Sequence, residues 1–136
     1  MITKLEMVSE DLVITDMQNN FLRGCFLHDD YEVPVCILQN NPEDKCNPDY
    51  LFVANKCVNW VVDNEQKVFK YFIDSFIEEC LEDMLGELSL SHVVIFYEEK
   101  YFAIWLSSQV GFSCHSLYTL VDMNTFEFIE DAALYD

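Results

Sequence analysis

The residues of this chain suited to nucleophilic or metal chemistry are three histidines, His28, His92 and His115, and six cysteines, Cys25, Cys36, Cys46, Cys57, Cys80 and Cys114. Cys114 and His115 set a thiol beside a base. Adjacent strand residues point to opposite faces, however, so this pair cannot form a dyad by itself. A dyad of distant residues, such as Cys25 with His115, stays open. Successive cysteines lie 11, 10, 11, 23 and 34 residues apart, which fails the paired spacing that zinc requires. The stretch DNEQKVFKYFID lacks the acidic and glycine pattern of a calcium loop. Three glycines, Gly24, Gly86 and Gly111, are too few and too scattered for a phosphate-cradling loop. No metal or cofactor is implied, and the chain reads as non-enzymatic.

A different chemistry, that of charge, is concentrated in residues 74–87, DSFIEECLEDMLGE. Six of these fourteen residues are acidic, Asp74, Glu78, Glu79, Glu82, Asp83 and Glu87, and none is basic. Residues three and four apart are neighbours on a helix, so Asp74, Glu78 and Glu82 form one row with Glu79, Asp83 and Glu87 beside it. The row spans about 20 Å. Lys67 and Lys70 precede it, toward the other end of the helix, so the row reads as unrelieved. Like-charge pairs and acids near a helix C-terminus together cost about 1–2 kcal/mol. A solvated face is the simplest use of such a row; a docking surface for a cationic partner is the functional one.

Composition favours the second use. Twenty-five acids against seven bases give a net charge of −18, and acids also cluster at residues 10–11, 29–32, 43–44 and 130–131. A field of this sign repels nucleic acid and anionic membrane and accelerates encounter with basic proteins. Eleven Phe, seven Tyr and two Trp supply a core and argue against disorder. The opening MITKLEMVSE has no apolar signal region, and no run is long enough to span a bilayer. The expected location is therefore the cytosol, with the cysteines acting as small buried hydrophobes.

The elements that must carry these residues follow from hydrophobic period. Residues 11–17, 21–28 and 31–39 read as short strands, with Pro34 marking an edge strand or a bulge. Asn47, Pro48 and Asp49 start a helix over 48–62. Asp63 and Asn64 interrupt it, and a second helix covers 65–85, stopping at Gly86. Residues 92–108 form a hairpin around Glu98, Glu99 and Lys100, and residues 115–131 another around 122–125. Trp60, Tyr97, Tyr101, Phe102 and Trp105 read as core by default, with Tyr101 and Trp105, on alternating positions of a strand beside the acidic turn, the candidates for an exposed anchor. The whole is a single α+β domain over 1–136, a mostly antiparallel sheet with two helices packed on one face.

Over residues 53–131 this arrangement resembles bacterial immunity proteins, the partners of polymorphic or contact-dependent growth-inhibition toxins. The resemblance lies in the helical pair from Val53 to Ser89, the strand leading to Phe112 and His115, and the hairpin carrying Asp122. It implies a cytosolic inhibitor that binds one toxin domain, often a cationic nuclease, and blocks its active site or substrate surface. The expected partner is then a basic toxin domain, contacted through the acids of residues 74–87. The alternative is a phage-encoded DNA mimic that occupies a restriction or CRISPR nuclease, although one 20 Å helix is short for imitating a duplex, by an estimate of roughly 1.5 Å per residue.

Overall fold

The computed structural model describes residues 2, 5–12, 17–28, 30–38, 48–75, 88–108, 116–129 and 133–135. Seven strands and two helices follow in the order β1 (Glu6–Leu12), β2 (Met17–His28), β3 (Tyr31–Leu38), α1 (Pro48–Asp63), α2 (Glu65–Ser75), β4 (Leu88–Phe96), β5 (Tyr101–Ser108), β6 (Ser116–Asp122) and β7 (Ala133–Tyr135). The strands form one sheet in sequence order. Every pairing is antiparallel except β3 with β4, which are parallel and joined through the helices. Parallel neighbours need a long crossover, and the helix pair supplies it.

Strand periodicity of two divides the sheet into faces. Leu22 and Phe26, Val33, Val35 and Ile37, Val93 and Ile95, and Phe102, Ile104 and Leu106 are all buried on one face. They pack there with Tyr50, Ala54, Cys57, Val58 and Val61 of α1 and Val68 and Phe72 of α2. Val94, Ala103 and Trp105 form a separate cluster on the other face, flanked by Leu38, Phe96, Tyr118 and Leu120. The architecture is therefore α+β, with both helices on one side of the sheet.

Local chemistry explains the element boundaries. The Asn64 backbone N–H and side-chain amide both donate to the Trp60 carbonyl, at 2.9 and 2.8 Å, closing α1, while the Asn64 carbonyl accepts from Val68 N–H and opens α2. Lys100 closes the β4–β5 turn with φ 67°, its N–H donating to the Phe96 carbonyl. Phe126 also has positive φ, 56°, which is unfavourable for a bulky residue. Its ring is fixed by stacking on Trp60 at 5.4 Å, with Lys56 Nζ at the same distance from its centroid.

The described elements depart from the sequence expectation at the first strand, after β6 and at Pro34. The first strand is Glu6–Leu12 and the second begins at Met17, whereas the expected strand covers 11–17, of which residues 13–16 lie outside the described residues. The second helix is described only to Ser75, and the expected continuation to 85 lies outside the described residues. After β6 the chain makes a single bridge, Val121 to Phe128, rather than a second long strand, and β6 pairs with β7 instead. Pro34 sits in an interior strand, not at an edge. The ladder from β3 to β4 begins at Val35, so Pro34 is in register with β2 alone, where a missing N–H is tolerated.

Candidate functional site

Asp74 lies near the end of α2, exposed, with its Oδ2 2.8 Å from Lys70 Nζ. The expectation of an unrelieved row therefore fails at its first member. The lysine one turn earlier has a stem long enough to reach forward, giving an i,i+4 pair. Glu78, Glu79, Glu82, Asp83 and Glu87 lie outside the described residues.

Among the described residues the two helices are together close to neutral. Residues 48–75 hold four acids, Asp49, Asp63, Glu65 and Asp74, against three lysines, Lys56, Lys67 and Lys70. Nearly all of the surplus of eighteen negative charges is thus carried elsewhere. Glu65 is directed inward: its carboxylate meets His28 Nε2 at 3.2 Å, joining the end of β2 to the start of α2. The His28 ring packs edge-on to Tyr31, whose hydroxyl donates to the Leu90 carbonyl at 3.2 Å.

One end of the sheet collects carboxylates that sequence reasoning did not group. Tyr50, in the first turn of α1, packs edge-on to Tyr97 at 4.7 Å, which brings Asp49 toward the β4–β5 turn. Met123 N–H donates to the Lys100 carbonyl at 3.0 Å, tying that turn to the one following β6. Asp49, Glu98, Glu99 and Asp122 therefore share one rim, and the first three are exposed. The rim's lysine, Lys100, places its Nζ 4.7 Å above the Tyr97 ring, a cation–π contact. The Asp122 carboxylate accepts backbone N–H bonds from Thr125 at 3.0 Å and Asn124 at 2.7 Å. These bonds hold its pKa below the usual carboxylate value. The acidic Glu98-Glu99 turn is visible in the sequence; its union with Asp49 and Asp122 depends on long-range packing that no local pattern reveals.

Trp105 is buried at 3% exposure, so it belongs to the core and is no exposed anchor. It stacks between His92, at 5.2 Å, and Tyr118, at 4.8 Å, forming a ladder across β4, β5 and β6. Tyr101 is partly buried and packs on Phe96. His92 Nδ1 lies 3.0 Å from Ser91 Oγ, and burial lowers its pKa to about 4, so the ring is neutral near pH 7. Cys57 is buried and its thiol is pushed up to about 12 by desolvation, which makes it a packing residue. Cys25 is exposed on β2; Cys114 and His115 lie outside the described residues. Among the described residues no group of three or more His, Cys, Asp or Glu is placed to hold a metal ion. None of their helices is long and apolar enough to cross a membrane.

Compared with family models, with curated proteins and with solved structures, the chain gives no match in any of the three.

Proposed function

We propose that this chain is a non-enzymatic acidic inhibitor that captures a basic protein, a toxin domain of the nuclease type, and covers the groove that would hold nucleic acid phosphates. The uneven distribution of charge carries this reading. Of the surplus of eighteen, residues 48–75 carry one, whereas the acid-rich residues 76–87 carry five with no base, and the rest is spread over the strands and their connections. A charge spread for solubility alone has no reason to place five acids and no base within the twelve residues 76–87. The resemblance of residues 53–131 to immunity proteins supports a toxin as the partner class. A nuclease groove is lined with lysine and arginine to hold phosphates, which makes it the surface most complementary to such a field.

Capture would proceed in two stages. Long-range attraction raises the encounter rate by about 10- to 1,000-fold at low salt, and short-range pairing then fixes orientation. Exposed acids on the rim, Glu98 and Glu99, and the acids Asp74, Glu78, Glu79, Glu82, Asp83 and Glu87 are the residues assigned to contact. The test is stopped-flow association with any basic nuclease toxin domain found encoded near the gene, across a series of ionic strengths. Charge reversal of Glu78 and Glu82, or of Glu98 and Glu99, should slow association and flatten its salt dependence. If neither double variant changes the on-rate, both surfaces are excluded.

A further inference from the structure

β1 ends the sheet. Among the described residues it pairs with β2 along all seven of its positions and with no strand on its other side. In a strand, the N–H and C=O groups of alternate residues point to opposite sides. One side of β1 is therefore taken by β2, and the other presents a row of donors and acceptors to whatever lies beyond it. At the opposite margin β7 has only three residues, and Val121, Leu120 and Asp122 of β6 are already engaged beyond it by Phe128, Ile129 and Glu127. β1 is the longer margin.

Its composition selects among possible occupants. EMVSEDL contains Glu6, Glu10 and Asp11 and no lysine or arginine. A second copy of β1 would bring six carboxylates and no base to one seam, and like charges across strands are destabilising. A cationic extended segment suffers no such penalty and gains attraction as well as backbone pairing. Orientation adds continuity with the acidic rim. β1 is antiparallel to β2, β2 to β3, and β3 is parallel to β4, so β1 points the same way as β4. The end bearing Glu10 and Asp11 is the end at which the β4–β5 turn carries Glu98 and Glu99.

We infer that β1 is a strand-acceptor edge: a lysine- or arginine-rich extended segment of the partner adds beside Glu6–Leu12 as an eighth strand, by backbone hydrogen bonding. This inference rests on the proposed capture of a basic partner and says how part of that capture is made.

The probe is a peptide of matching length that alternates lysine and valine, read by fluorescence anisotropy and by amide hydrogen exchange of the intact chain. Its control has the same sequence with N-methyl groups at alternate backbone nitrogens, leaving charge intact and removing donors. Unmodified peptide should bind about 10- to 100-fold more tightly than the control, the loss expected for two or so backbone hydrogen bonds. It should also slow exchange at alternate β1 amides. Of the variants Val8→Pro and Ser9→Pro, one strikes the β1–β2 ladder and lowers the urea midpoint. The other should keep the midpoint and lose the binding difference between the two peptides. Equal binding of both peptides to the unaltered chain overturns strand addition and leaves electrostatic capture standing. Protection at amides other than those of β1, or a dimer of the free chain held through β1, also overturns it. Absence of binding by either peptide at low salt contradicts strand addition and the acidic-capture reading together.

Discussion

Asn55, on α1, holds the backbone of Ile2 at both of its polar groups: the side-chain oxygen accepts from Ile2 N–H at 2.9 Å, and the side-chain amide donates to the Ile2 carbonyl at 3.1 Å. The same amide reaches the Leu51 carbonyl one turn back. Ile2 is 2% exposed, so its peptide groups have been removed from water and depend on Asn55. The segment entering β1 is thereby fastened across the helix layer, which positions the edge strand on which partner addition would occur.

Replacing Asn55 by Leu should cost about 1–3 kcal/mol, because the buried N–H and C=O of Ile2 lose their partners. Equilibrium urea unfolding measures it. Asn55→Asp keeps the acceptor and loses the donor, and should fall between wild type and Asn55→Leu.

Stability should also carry a histidine signature below neutral pH. The His92 ring, stacked on Trp105, has a folded pKa of about 4 against 6.5 for the free side chain, lowered by burial. Between these values the unfolded chain binds more protons, so stability increases with pH and is progressively lost as pH falls from about 6.5 toward 4. The full effect is up to roughly 3 kcal/mol at about 1.4 kcal/mol per unit. His92→Phe keeps a ring in the stack and removes the titration. The difference in unfolding free energy between it and wild type should therefore be flat above pH 7 and shift in favour of Phe below pH 6.

Thiol reactivity should divide the described cysteines by position. Cys25 is exposed on β2 and should react with a thiol reagent under native conditions near pH 8, within minutes. Cys57, on the buried face of α1 with its pKa raised to about 12, should stay unmodified until the chain unfolds. Mass spectrometry of partially labelled protein distinguishes the two sites. Modification of Cys57 at the rate of Cys25 would contradict the core assigned to α1.

The pair between Lys70 and Asp74 should contribute little to stability and more to charge. Both side chains are exposed, so Lys70→Ala should change unfolding free energy by no more than about 0.5 kcal/mol. It leaves Asp74 unrelieved and adds one unit to the negative surplus. Association with the basic partner should then become slightly faster at low salt, with no difference near 1 M salt, where the Debye length is about 3 Å.

Periodic segments were the legible part of this fold. The first helix and the β4–β5 hairpin lie within one or two residues of expectation at most of their bounds, except that β4 starts earlier, because their apolar periods are long and their caps and turns are local. β1 begins well before the expected start at residue 11, because its pairing depends on β2 rather than on its own sequence; an edge strand needs little hydrophobicity to form. Pro34 misled for the opposite reason, since register rather than strand order determines whether a proline is tolerated. The site was legible only as charge. The sequence showed acids in abundance, whereas the pairing of Lys70 with Asp74 and the gathering of Asp49, Glu98, Glu99 and Asp122 at one end depend on tertiary geometry.

Inhibition of a basic nuclease domain is the most direct measurement of the central claim. Purified chain titrated into each basic nuclease domain that the native host encodes near its gene, at about 50 mM salt, should abolish cleavage by one of them at one-to-one stoichiometry. Raising the salt to about 200 mM should weaken the inhibition without ending it, since steering is screened before short-range contacts are. Full activity of every one of them at a large excess of this chain, at low salt, would contradict the account.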